Sequence, residues 1–201
     1  MKLSLHLHAN NQHLNQLSNL LGFYRTACLK HNEESQAVLL NLLLRNFLEY
    51  NLYEQADKLL SKTTLREDNT STNEYARYLY YQGSIKSVQL DYSEAYRCLL
   101  GAIRKAPQNT ARGFRLAVYK LLCIVQLLMG EIPERSIFRQ QGLRQSLMPY
   151  FQLTQAVRIG DLAAFHSVVS NFGERFKADK TFILIQRYYS PTSKKIKFLF
   201  V

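Results

Sequence analysis

The sequence predicts an all-α fold, and three observations carry that prediction. Glycine and proline number only 8 and 4 in 201 residues, too few for the many tight turns of an all-β chain. Long segments rich in Leu, Ala, Gln and Arg dominate, and these residues lose little conformational freedom in a helix. Apolar positions recur at helical spacing from Leu14 onward, where Leu14, Leu17, Leu20, Leu21 and Tyr24 form one stripe. With 47% hydrophobic and 20% charged residues, the composition is globular, and the length suits one domain or a continuous array.

Residues 1–13 are too polar for a leader and are expected to form a flexible N-terminus, frayed or strand-like. Asn32 stands where it can cap "EESQAVLLNLLLRNFLEY", a helix apolar nearly all round its middle and therefore covered on several sides. Asn51 breaks that run, and "LYEQADKLLSKT" starts a shorter amphipathic helix. "REDNTSTN" at 66–73 is a polar loop. The next pair repeats the plan: "EYARYLYYQGSIKSVQL", a break at Asp91, then "YSEAYRCLLGAIRKAP".

Leu52 to Ala56 aligns with Asp91 to Ala95, and Leu59-Leu60 with Cys98-Leu99, an offset of 39 residues that is a helical-repeat period. Gly83, Ala95, Ala102 and Pro107 fall at the spacing of the small residues and proline of a tetratricopeptide unit. Ala56 is the counterpart of Ala95 in the first pair. Small residues let two helices approach closely, and proline ends the second helix. The tryptophan and tyrosine of the full pattern are missing, and the period exceeds the usual ~34. Residues 14–129 are therefore predicted to be tetratricopeptide-like repeats, a helical solenoid.

A longer helix follows from about Ala111 to Met129. "GEIPERSIFRQQG" is a turn-rich connector in which Pro133 prevents simple helix continuation. In "SLMPYFQLTQAVRIGDLAAF", Ser146 is read as an N-cap with Pro149 inside the first turn, where its missing N–H costs nothing. That helix runs to Arg158, Gly160 stops it, and Asp161 caps "LAAFHSVVSNF", which Gly173 is expected to end.

The same residues exclude several functional classes. Cys28, Cys98 and Cys123 are odd in number and far apart, a poor disulfide framework that suits a reducing compartment. "LAVYKLLCIVQLLMG" carries Lys120 and Gln126 and falls short of the ~20 apolar residues that span a bilayer, so no membrane role is expected. His6, His8 and His13 have no cysteine or carboxylate beside them with which to bind a metal. His166 reads as a partly buried or surface histidine. Cys28 and His31 lie three apart, but no oxyanion donors accompany them. Glu33-Glu34 complement a helix dipole. No Gly-rich phosphate loop, HExxH or paired CxxC occurs. No catalytic, cofactor-binding or metal-ligating residue is assigned, and no cofactor or small-molecule substrate is expected. Tyr75, Tyr78, Tyr80 and Tyr81 beside Arg77 suit packing between repeats better than stacking on bases.

Charge is distributed unevenly. Residues 1–100 hold 10 basic and 10 acidic residues, whereas 101–201 hold 16 and 5, so the whole excess of +11 lies in the second half. Arg112, Arg115, Arg139, Arg144 and Arg158 are the candidate partner-facing residues. The excess is spread thinly and lacks a nucleic-acid motif, which favours a solvated or protein-facing surface over nucleic acid.

Three blocks carry a resemblance: "LLNLLLRNFLEYNLYEQADKL", "NEYARYLYYQGSIKSVQLDYSEA" and "GEIPERSIFRQQGLRQSLMPYFQLTQAVRIGDLAAF". From Leu14 to Gln186 the chain resembles the non-ATPase regulatory subunit 3 family of the 26S proteasome, PCI-domain proteins of the regulatory-particle lid. The resemblance implies a helical-repeat scaffold feeding a winged helix, docked against other lid subunits in cytoplasm and nucleus. It also implies a structural part in degrading ubiquitinated proteins, without catalysis. Residues 130–189 then become the incomplete helical part of a PCI domain. The family continues differently after "TFILIQR", whereas here Ser190-Pro191 breaks the helix and 190–201 is a divergent tail. A truncated or alternatively ended form, or an imperfect gene model, is expected, lacking the N-terminal extension and the winged helix. The competing expectation is a PCI-type scaffold of the signalosome or of translation initiation factor three, with a basic surface that contacts RNA.

Overall fold

The computed structural model of the chain describes the backbone of residues 2–107, 110–140 and 142–189, and within these the side chains of residues 16–188. These residues form ten helices and no strand: α1 Lys2–Leu29, α2 Glu33–Glu49, α3 Tyr53–Lys62, α4 Thr72–Val88, α5 Tyr92–Lys105, α6 Arg112–Met129, α7 Arg135–Phe138, α8 Arg144–Ile159, α9 Leu162–Ala178 and α10 Phe182–Tyr189. The final residues, including the tail expected to diverge, lie outside the described set.

Helices stack on their neighbours along the chain. α1 packs on α2, α2 on α4, α4 on α5, α5 on α6, α6 on α8, and α8 on α9. Two apolar cores result. Leu17, Leu40, Leu43, Leu44, Phe47, Ala56, Tyr78 and Ile85 make the first, from α1 to α4. The second runs from α5 to α10 and is centred on α6, whose residues from Val118 to Leu128 are buried almost without break. A helix apolar on all sides needs cover on all sides, and α5, α8 and α10 provide it.

The turns repeat as regularly as the helices. Six helix ends carry one residue in the left-handed region: His31 (φ 51°), Asn51 (57°), Leu90 (72°), Gly130 (87°), Gly160 (77°) and Lys180 (58°). Each is followed by an amide that reaches back to the last helical turn: Asn32 to the Ala27 carbonyl, Leu52 to Phe47, Asp91 to Lys86, Glu131 to Gln126, Asp161 to Ala156 and Thr181 to Phe176. This closure satisfies carbonyls that a helix end leaves free. Asn51 and Leu90 stand 39 residues apart, so the repeat seen in side chains is also a repeat of backbone conformation.

Three N-caps sit where the residue types place them. Asn32 accepts from the Ser35 amide at 3.0 Å, Asp91 from Glu94 at 3.3 Å, and Asp161 from Ala164 at 2.9 Å. Asp161→Ala should lower stability by about 1 kcal/mol, because one orphan amide of α9 loses its acceptor. Urea denaturation checks this, with an unchanged slope and a lowered midpoint expected.

Three expectations are corrected. The helix expected from Leu14 begins at Lys2, not after a frayed or strand-like segment. Leu3, Leu5 and Leu7 alternate as in a strand, but a strand needs a ladder partner, whereas a helix bonds its own backbone.

Ser146 is not an N-cap. α8 begins at Arg144, after a left-handed Gly142 (φ 78°) and a buried Leu143 whose carbonyl accepts the Leu147 amide at 2.9 Å. Pro149 therefore lies in the second turn and removes the bond to the Gln145 carbonyl, tolerable because Gln145 is exposed and that carbonyl can reach water.

Gly173 does not end α9, which continues to Ala178. Its helical cost, about 1 kcal/mol relative to alanine, is outweighed by burying Phe176 one turn later.

Candidate functional site

The small residues of the repeat lie at helix crossings. Ala56, Ala95 and Ala102 have no exposed surface, and Gly83 is buried in α4. A β-carbon on Gly83 would stand 2.9 Å from Leu99 Cγ and 3.2 Å from the Ala95 carbonyl oxygen, so α4 and α5 touch through their backbones. Pro107 is exposed just beyond the C-cap Ala106, after α5 has ended.

The five arginines are not equivalent. Arg115 is half-buried and turned inward, donating to the Tyr119 hydroxyl at 3.1 Å with its guanidinium 5.7 Å from that ring's centroid. Tyr119, one turn along α6, offers both an acceptor and a π-face, which removes Arg115 from the exposed set. Arg158 is exposed at the far end of α8.

Arg139 and Arg144 come together, joined by Arg135, which the sequence reading had not singled out. They rim a groove of about 510 Å³ whose apolar walls are Phe138, Met148 and Phe151. Phe138 and Phe151 meet edge to face at 5.2 Å. The Gly142 turn between α7 and α8 folds the two arginine-bearing segments onto one another. Arg112 lies against that turn, its Nη1 3.7 Å from where a Gly142 β-carbon would stand. Among the described residues none of these four arginines is engaged by a carboxylate. Surplus cations beside an apolar wall on which Met148 is exposed suit an apolar partner surface that carries carboxylates.

A second concavity, about 460 Å³, opens between α2, α4, α6 and the α9–α10 turn. At its wall Lys120 pairs with Asp179 at 2.6 Å, and Tyr150, fully buried, donates to the other Asp179 oxygen at 2.9 Å. Burial pushes the Tyr150 hydroxyl well above its ordinary value, so it remains a proton donor here. Sequence reasoning missed this triad. Its members lie 59 and 29 residues apart, and nothing local marks them as partners.

Residues that were weighed for chemistry have structural places. Burial, then the Glu94 carboxylate 3.6 Å away, pushes the Cys98 thiol up to about 12. Burial does the same to Cys123, and a thiol so held is a poor nucleophile. Burial, then the neighbouring Cys28, pushes the Tyr24 hydroxyl up to about 12, and His31 occupies a left-handed turn. Tyr75 stacks on Tyr78 with centroids 6.3 Å apart, Tyr80 meets Phe114 of α6 edge-on at 5.7 Å, and Arg77 pairs with Glu74. The tyrosines thus join helices. The side chains of His6, His8 and His13 lie outside the described residues. Among the described residues no helix is long and apolar enough to cross a membrane, and no three potential metal ligands cluster.

Close small-residue crossings, recurring left-handed turns and stacked helix pairs define an all-α helical-repeat solenoid of the tetratricopeptide type. A family described as "PSMD3-like, N-terminal TPR repeats" matches residues 5–154. The chain belongs to that family. It is 58% identical over 177 residues to the 26S proteasome non-ATPase regulatory subunit 3 of Dictyostelium discoideum, covering 88% of this chain and 35% of the relative. It is 57% identical over 163 residues to the probable subunit 3 of Drosophila melanogaster, covering 81% and 33%. It is 53% identical over 169 residues to the probable 26S proteasome regulatory subunit rpn3 of Schizosaccharomyces pombe, covering 84% and 34%. The chain thus spans about a third of the length of the relatives it matches.

Proposed function

We propose that the chain is a non-catalytic scaffold of the proteasome regulatory-particle lid, contributing to assembly for ubiquitin-dependent protein degradation. Its partners are other lid subunits, in cytoplasm and nucleus, and α7 to α10 form the helical part of a PCI domain. The observation that carries the reading is the groove of Phe138, Met148 and Phe151 rimmed by Arg135, Arg139 and Arg144. It joins apolar area to uncompensated charge, as a docking surface requires. The names of the relatives support the proteasome over the signalosome or translation initiation factor three.

The test is co-purification of the tagged 201-residue chain with lid subunits from lysate. Recovery of those subunits is expected with the native chain, and Arg139→Glu with Arg144→Glu should reduce it at least about tenfold, like charges being set against the partner's carboxylates. Unchanged recovery by the charge-reversed chain would remove the groove from the interface. Salt-dependent RNA retention without any lid subunit would favour the RNA-contacting alternative instead.

A further inference from the structure

The α9–α10 unit reaches back over the concavity to the first two repeats through two long cationic side chains. Lys180 donates to the Leu48 carbonyl at 3.2 Å and to Glu49 Oε2 at 3.0 Å, both in the last turn of α2. Arg187 donates from Nη1 to the Val88 carbonyl, the last residue of α4, at 2.6 Å. These contacts join residues 132, 131 and 99 positions apart. Neither α2 nor α4 packs its backbone closely on α9 or α10, so the side chains make the span. Both land on helix C-termini, whose carbonyls carry the negative end of the helix dipole.

The placement of these cations is built in. Lys180 is held at φ 58°, unusual for a side-chain-bearing residue, and its neighbours anchor that turn. Asp179 binds Lys120 and Tyr150, while Thr181 is buried against Tyr150 and bonds the Phe176 carbonyl. The turn therefore cannot swing freely, and Lys180 is aimed at α2. Arg187 is also near enough to Tyr53 of α3 to offset part of the upward push that burial gives that hydroxyl.

We propose that Lys180 and Arg187 form a two-point clasp that sets how far the solenoid closes over the concavity, and that releasing it opens the cleft. Each contact alone is a part-exposed link of the kind that contributes little. Lys180 lines the concavity together with Leu48, Glu49 and Val88, and the two contacts tie the α9–α10 unit to the ends of α2 and α4, so they act on curvature more than on stability. The inference is independent of which partner the chain docks.

Lys180→Met with Arg187→Met in the 201-residue chain tests it, read by hydrogen exchange and small-angle scattering. Amides of the last turns of α2 and α4 and of α10 should exchange about three- to tenfold faster, reporting local opening, while α8 and helical circular dichroism stay unchanged. The radius of gyration should rise. Lys180→Arg with Arg187→Lys, which keeps both cations, should restore protection. Unaltered exchange and radius in the double variant would overturn the clasp. So would a uniform loss of protection across all helices, which would make the two residues general stabilisers. Each single variant, milder for folding, should open only its own contact.

Discussion

Phe176→Ala should lower stability by about 3–5 kcal/mol, the range for truncating a large aromatic in a closed core. Phe176 has no exposed surface and stands edge-on to Tyr150, centroids 5.2 Å apart and planes at 81°. Tyr150 in turn holds Asp179 and Thr181, so the cavity opens beneath the turn that ends α9. Both the lost apolar contact and the loosened hydrogen bonds act in one direction. Urea titration followed by circular dichroism measures the change. A loss below about 1 kcal/mol would mean that the site had collapsed around the gap or that α9 stopped at Gly173, leaving Phe176 on a solvated loop.

Ala95→Leu should cost about 1–3 kcal/mol by overpacking. Ala95 is fully buried at the α4–α5 crossing, where even a β-carbon on Gly83 would come within 3.2 Å of its carbonyl oxygen. A leucine there must displace one helix, and that shift propagates to α6, which rests on α5. Thermal melting reports the loss. A melting temperature equal to that of the native chain would show that the crossing has slack, contrary to the 2.9 Å separation from Leu99 Cγ.

Helices were legible because their signals are local. Apolar spacing, the capping residues Asn32 and Asp161, the break at Asp91 and the Gly160 stop act within about one turn of where they are read. Local signals also misled. Pro149 and Gly173 have residue types that normally bound helices, yet both lie inside them. Burial of Leu143 and Phe176 in the tertiary core fixes those helices, and no preference of the proline or glycine reveals it. The left-handed turns at His31, Leu90 and Lys180 were equally hidden, since none is a glycine or an asparagine, whereas Asn51 reads as a break.

The arginine-rimmed groove was half legible. Arg139 and Arg144 stood out as charge, and their aromatic floor did not, because Phe138 and Phe151 are partners only after the Gly142 turn. Arg115 looked no different from them until Tyr119 captured it.

By itself the sequence determined that the chain is helical, where most helices start and stop, and that they recur as pairs at 39 residues. These follow from propensities, periodicity and capping, whose range is a few residues. Only the tertiary structure decided which arginines face outward, that Lys120, Tyr150 and Asp179 meet, and that Lys180 and Arg187 reach back to α2 and α4. Those outcomes depend on how helices stack in three dimensions, and burial there acts between residues that the chain order keeps far apart.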